Sequence, residues 1–172
     1  MRAARRIAFL ALSVLLIGAM GKVPEAEPLP SACDILSELP ADTLPGQSLD
    51  YKTTQDRSGN DILMSMCSAL GDDGLPAVTL LLRQNISESD PQTALAQREI
   101  MIAELAQTFG SAPQVTLPDI GEAALWVAEI AQLTVWYRRG RVMFIVTTGN
   151  DSPDTRQKLS EQIAREIVAR FP

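Results

Sequence analysis

The chain has 172 residues and more acidic than basic side chains, with 21 Asp and Glu against 15 Lys and Arg and a net charge of −6. This charge disfavours nucleic acid and anionic membrane surfaces as general partners, because both repel an acidic protein. The chain has no histidine, which excludes Ser-His and Cys-His nucleophile pairs, histidine metal sites and a histidine acid or base near neutral pH.

The first 21 residues have the pattern of a secretory signal peptide. Three arginines within residues 1–6 precede an apolar run at 7–20, which is shorter than the ~20 residues of a membrane-spanning helix. Small residues at Ala19 and Gly21 favour cleavage after Gly21, which would remove three arginines and no acid and change the net charge from −6 to −9. We therefore expect a periplasmic or secreted protein without membrane insertion after cleavage; an uncleaved N-terminal anchor is the alternative.

A tether is predicted between the signal peptide and the folded part. Residues 22–32, KVPEAEPLPSA, hold three prolines and two glutamates and lack an apolar period. The remaining residues, 33–172, are enough to bury one core, so we expect a single domain there.

The first predicted helix spans 31–39, with Ser31 as its N-cap and Pro40 as its stop. It contains Cys33, and the other cysteine of the mature chain, Cys67, lies in a predicted strand. In an oxidising compartment such a pair is more often joined than free, so we expect a disulfide that fastens this helix to the sheet. A redox-active pair is not expected, because those cysteines are usually separated by only two residues.

The remaining elements are predicted from apolar periodicity and turn-forming residues. In chain order they are strands at 49–54, 62–70 and 77–83, a helix at 91–109, strands at 123–128, 132–138 and 142–148, and a helix at 153–171. Asp90 and Ser152 are the predicted N-caps of the two helices, Gly110 ends the first of them, and Pro153 occupies the first position of the second.

Apolar residues at helical spacing predict which face of each helix is buried. For the second helix the predicted stripe is Leu95, Ile102, Leu105 and Phe109. For the third helix it is Leu159, Ile163, Ile167 and Phe171.

These elements predict an α+β fold in the order α-βββ-α-βββ-α, with an antiparallel sheet covered by helices. In the last strand Val142, Phe144 and Val146 alternate with Met143 and Ile145, so both faces are apolar. We therefore expect this strand to be central and covered on both sides, as in an α/β/α sandwich.

Four segments resemble those of a known protein family. They are ACDILSEL at 32–39, Cys67 in its strand, DIGEAALWV at 119–127, and LTVWYRRGRVMFIV at 133–146 before an amphipathic helix. The chain is similar in these to domain-of-unknown-function family 3558, small exported envelope proteins and lipoproteins. The resemblance implies an α/β/α sandwich related in outline to the PsbP-like fold. It supplies no catalytic residue, and this chain lacks the lipidation cysteine of many relatives.

The segment WYRRGR at 136–141 is the candidate binding site of the chain. The strand patterns on either side place Arg139-Gly140 at the reversal of a hairpin, which on its own accounts for exposed charges. Three arginines and two aromatic rings in six residues exceed what a turn requires. A guanidinium cluster for a carboxylate or phosphate is therefore the functional hypothesis, and its residues are Trp136, Tyr137, Arg138, Arg139 and Arg141.

No catalytic residue, metal site or cofactor is predicted. Carboxylates are the remaining source of acid and base chemistry, and the candidates are Asp72, Asp73, Asp119 and Glu122. We expect an exported, non-enzymatic accessory domain of the cell envelope that docks an envelope protein or a small ligand. The alternatives are a carboxylate-dependent hydrolase of envelope glycans and a structural envelope component.

Overall fold

The computed structural model describes residues 28–45, 48–87, 91–149 and 152–172. Three α-helices, seven strands and one short 3₁₀ helix (Ala128–Ile130) lie in these ranges. In chain order the α-helices and strands are α1 (Ala32–Glu38), β1 (Asp50–Ser58), β2 (Ile62–Leu70), β3 (Pro76–Asn85), α2 (Ala94–Phe109), β4 (Val115–Thr116), β5 (Ala123–Val127), β6 (Gln132–Tyr137), β7 (Val142–Thr148) and α3 (Pro153–Arg170). The α+β class is thus confirmed, and the second set of strands has four members where three were predicted.

All seven strands form one antiparallel sheet in the order β1-β2-β3-β7-β6-β5-β4. The first three strands are consecutive hairpins, and β7 is the central strand, as predicted. The sheet ends in β1 on one side and in the two-residue β4 on the other. An irregularity in register between Thr53 and Gln55 interrupts β1.

One face of the sheet carries the main core. There α1 and α3 bury apolar side chains against alternate residues of the strands, among them Leu80, Leu133 and Phe144. The predicted stripe of α3 is confirmed, because Ile163 and Ile167 are fully buried and its flanking members pack against the same cluster.

The other face carries a smaller cluster under α2. Its buried residues are Ala94, Ala123, Leu125, Val127 and Trp136, with Met101, Ile102, Leu105 and Met143 packed against them. Two members of the predicted α2 stripe were wrong: Leu95 is 54% exposed and Phe109 is 39% exposed. The buried side of the helix is centred nearer Ala94 and Met101 than predicted. Apolar residues occur on more than one side of this helix, so the periodicity alone fits several stripes.

The helix ends follow the predicted capping residues where these are described. Ser31 forms a capping box with Asp34, Ser152 accepts a hydrogen bond from the Thr155 amide, and Gly110 ends α2 in a left-handed conformation. Thr93 caps α2, whereas the predicted cap Asp90 lies outside the described residues.

The predicted disulfide is confirmed. Cys33 of α1 is bonded to Cys67 of β2, with their Cα atoms 5.0 Å apart. The same contact is reinforced where the Ala32 amide donates to the Ser65 hydroxyl of β2 at 3.0 Å. Helix α1 is therefore fastened to the sheet by a covalent bond and a buried hydrogen bond.

Of the N-terminal predictions, the signal peptide at 1–21 lies outside the described residues, as do the first six residues of the tether. The last part of the tether is attached to the domain: the Leu29 amide donates to Gln84 Oε1 at 2.8 Å, and Ala32 is fully buried. Within the ranges that the structure describes, none of the helices has the length and apolar character needed to cross a membrane.

Candidate functional site

The WYRRGR segment forms the tight turn between β6 and β7. The Arg141 amide donates to the Arg138 carbonyl at 3.1 Å, and Arg138, Arg139 and Gly140 all have positive φ. A turn with left-handed central residues matches the twist of the two strands it joins. The predicted reversal at Arg139-Gly140 is therefore present.

Two of the three tip arginines are held by backbone carbonyl groups of distant segments. The Arg138 guanidinium donates to the main-chain oxygen of Pro172, just beyond α3, and lies over the Tyr137 ring at 5.9 Å from its centre. Arg141 Nη1 donates to the Ser87 carbonyl at 2.7 Å. Each thus fastens the turn to another part of the fold, and the two point in different directions.

Arg139 is the exposed arginine of the turn. Its backbone amide donates to Oε1 of Glu122, and its side chain has no hydrogen bond or ion pair with any part of the chain that the structure describes. The Glu122 side chain thus binds the backbone of the turn. Gly121, the residue before it, has positive φ and lies close to the backbone of β6.

The two aromatic residues of the predicted site are buried on opposite faces of the sheet. Trp136 is 1% exposed and packs beneath α2, whereas Tyr137 is 4% exposed and packs edge-on against Phe144 in the main core. A ligand at the tip cannot contact either ring without opening a core. Of the five predicted binding residues, Arg139 alone presents a free side chain.

The hydrogen bonds at the tip predict unequal effects of removing its arginines. Arg141→Ala should lower the free energy of unfolding by about 1–2 kcal/mol, because it removes a charged donor from a partly buried carbonyl. Arg139→Ala should change it by less than about 0.5 kcal/mol. Urea unfolding of both variants measures the difference, and equal losses would contradict this assignment of roles.

The Tyr137 hydroxyl is buried and has no hydrogen-bond partner among the described residues. Burial raises the pKa of Tyr137 to about 12, and the neighbouring Arg138 cation opposes this rise. An unfolded tyrosine ionises near pH 10. Above that pH the unfolded chain loses this proton before the native chain does, so stability falls as the pH rises toward 12.

We therefore expect Tyr137→Phe to be neutral or slightly stabilising at pH 7. Between pH 10 and 12 the free energy of unfolding of the wild-type chain should fall by about 2–3 kcal/mol more than that of the variant. The reason is that each unit of difference between the native and unfolded pKa corresponds to about 1.4 kcal/mol. Unfolding of both chains at several pH values tests this. Tyr51, whose pKa burial also raises, is common to both and cancels in the comparison. Parallel curves above pH 10 would contradict the assignment.

A second candidate surface lies on the α2 side of the sheet. Its residues are paired across neighbouring strands and so form rows that run across the sheet. In the first row Arg57 opposes Met64, Met64 opposes Arg83, and Arg83 opposes Met143. Opposed residues of antiparallel strands share a face, and Met143 packs in the cluster beneath α2. The two arginines and Met64 therefore lie on the α2 side.

The next row follows the same rule. Met66 opposes Leu81, Leu81 opposes Ile145, and this row continues through Thr134 to Leu125, which is buried under α2. The helix packs on β5 and β6. The members of this row on β2, β3 and β7 are only partly buried.

We name this partly covered region the open sheet face. It consists of the apolar residues Met64, Met66, Leu81 and Ile145 and the flanking cations Arg57 and Arg83. Neither arginine has a hydrogen bond or ion pair with the described parts of the chain. The open sheet face is thus an apolar strip with positive charge at one edge, in a protein of net charge −6.

Sequence reasoning missed the open sheet face. The available signal was the apolar character of both sides of β7, from which cover on both faces was predicted. One helix on the α2 side covers about two strands, because its diameter is ~10 Å and strands lie ~4.8 Å apart. Counting helices against strands would have predicted an uncovered strip.

The candidate catalytic acids lie on two separate loops, Asp72 and Asp73 between β2 and β3 and Asp119 and Glu122 between β4 and β5. Asp72 and Asp73 lie in the exposed turn between β2 and β3, where Asp73 Oδ1 accepts from the Leu75 amide at 2.9 Å. Two surface cavities of about 130 and 210 Å³ contain one carboxylate each among their described lining residues, Asp73 and Asp56. No group of three or more His, Cys, Asp or Glu residues in the described ranges could hold a metal ion.

Comparison with known proteins adds no relative: no protein-family model matches the chain, and no match was found among curated proteins. The resemblance to family 3558 stays a prediction.

Proposed function

We propose that the protein is an exported, non-catalytic docking domain of the cell envelope, with an α/β/α sandwich fold, and that it binds a partner protein through the open sheet face. The observation that carries this proposal is the half-buried apolar strip Met64, Met66, Leu81 and Ile145, which lies beside two arginines that have no partner among the described residues. Apolar surface that is left partly uncovered beside charged residues is a feature of protein interaction sites.

Two features support export. The Cys33–Cys67 disulfide is of a kind that persists in oxidising compartments, and the N-terminal sequence has signal-peptide character. The adaptable side chains of Met64 and Met66 favour a protein partner, because methionine packs against varied apolar shapes. The basic edge favours a partner with acidic residues, and it selects between partners more than it adds affinity.

The hairpin tip is the competing docking site. It contributes one free side chain, Arg139, because its rings are buried and Arg138 and Arg141 are hydrogen-bonded to other segments. The glycan hydrolase would need two acids in one cleft, and neither described cavity has such a pair. A structural envelope component would share the fold without depending on a single surface.

The proposal is tested by crosslinking the full chain in its own cells and identifying the proteins that co-purify. Arg83→Glu should remove the specific partners, because it reverses the charge beside Met64. Arg139→Glu should leave them unchanged. Leu75→Glu is the matched control, since Leu75 is 53% exposed on the β2–β3 loop, away from both surfaces. Loss of partners with Arg139→Glu alone would place docking at the tip and overturn the proposal.

A further inference from the structure

The outer side of α2 carries apolar side chains as well as its inner side. Leu95 is 54% exposed and Ile100 is 43% exposed, and Ala96 and Ala103 lie on the same outward half of the helix. A helix with large apolar side chains on both its inner and its outer side is often covered on both. The outer side of α2 therefore has the character of a surface that another layer covers.

The charges on this outer side are negative. Glu99 and Glu104 are exposed on α2, and the Glu99 carboxylate contacts the neighbouring Arg98 at 3.0 Å. The open sheet face, by contrast, carries Arg57 and Arg83. The same chain thus presents an apolar strip with cations and an apolar helix face with anions.

The dimensions of the two surfaces also agree. The 16 residues of α2 span about 24 Å, and strands of nine or ten residues such as β2 and β3 extend about 30 Å. A single helix beside α2 would cover the strip that α2 leaves open, because one helix spans about two strands.

We propose that the partner on the open sheet face is a second copy of this chain, which inserts its α2 there. This inference rests on the proposed function and names its partner. Two copies related by a two-fold axis place both α2 helices side by side between the two sheets. Each helix then packs inward on its own sheet and outward on the other, so the interface is self-complementary, as two-fold symmetry requires. Glu99 and Glu104 of one copy face the Arg57–Arg83 edge of the other.

Sedimentation equilibrium tests the proposal, with the chain purified in the form that its own cells produce. The wild-type chain should be a dimer, and two charge-reversed variants should be monomers: Arg57→Glu/Arg83→Glu and Glu99→Arg/Glu104→Arg. Each variant places like charges at both halves of the symmetric interface. Equal thermal unfolding of the variants and the wild type shows that the fold is retained, and Leu75→Glu should remain a dimer.

Mixing the two monomeric variants is the decisive step. In a mixed pair the reversed strip of one variant meets the reversed helix of the other, and the remaining half has its native charges. A dimer should therefore reappear, with an affinity at least tenfold above that of either variant alone. The proposal would be overturned if the wild-type chain is monomeric even at the highest concentration at which it stays dissolved. It would also be overturned if the variants dimerise like the wild type. If the chain is monomeric and Arg83→Glu still removes crosslinked partners, docking at the open sheet face stands and the second copy is refuted.

Discussion

Replacing Cys33 and Cys67 together by alanine should lower the free energy of unfolding by about 3–4 kcal/mol, the largest single effect that we expect. The bond closes a loop with a sequence separation of 34 and so restricts the unfolded chain. It also retains α1, a seven-residue helix too short to be stable by itself. Urea unfolding of the variant and the oxidised wild type measures the loss.

Reduction of the wild-type chain provides the control for the disulfide prediction. Reduction breaks the same bond and leaves both cysteine side chains in place, including the fully buried Cys67. The reduced chain should therefore lose nearly as much stability as the variant. A loss below about 1 kcal/mol in both would contradict the entropic role assigned to the bond.

Gly140→Ala should lower the free energy of unfolding by about 3 kcal/mol, since it combines left-handed strain with a backbone clash. Gly140 has a φ of 71°, and a Cβ added there would lie 2.6 Å from the Gln92 carbonyl oxygen and 3.0 Å from the Ala94 amide nitrogen. The turn thus rests directly on the start of α2, where Gln97 Nε2 donates to the Gly140 carbonyl at 2.9 Å.

Gly74→Ala separates the two contributions. Gly74 has a similar φ of 74°, but an added Cβ would have no atom within 4 Å. Its substitution should therefore cost only the left-handed strain, about 1–2 kcal/mol. If the two variants lose the same stability, the contact between the β6–β7 turn and α2 does not contribute as described.

The element order was largely predictable because the caps and turns are local. Ser31, Ser152 and Gly110 mark helix ends through interactions within a few residues, and these predictions were confirmed. The strand β4 was missed because Val115–Thr116 is too short to show any period.

The candidate site depended on contacts that no local pattern contains. The carbonyl groups that hold Arg138 and Arg141 lie 34 and 54 residues away in the chain. The burial of Trp136 and Tyr137 follows from the position of β6 inside the sheet, where both faces are covered at that point. The orientation of α2 depended on tertiary packing, since apolar residues such as Ile100 and Ile102 lie on different sides of the helix.

The central claim is that docking takes place at the open sheet face, and site-specific photo-crosslinking in cells tests it most directly. A photoreactive phenylalanine analogue would replace Leu81 in one chain, Arg139 in a second and Leu75 in a third. The structure predicts protein adducts from position 81, including one with twice the mass of the chain, and none from positions 139 and 75. Adducts from position 139 with none from position 81 would contradict the claim and return the binding site to the arginine turn.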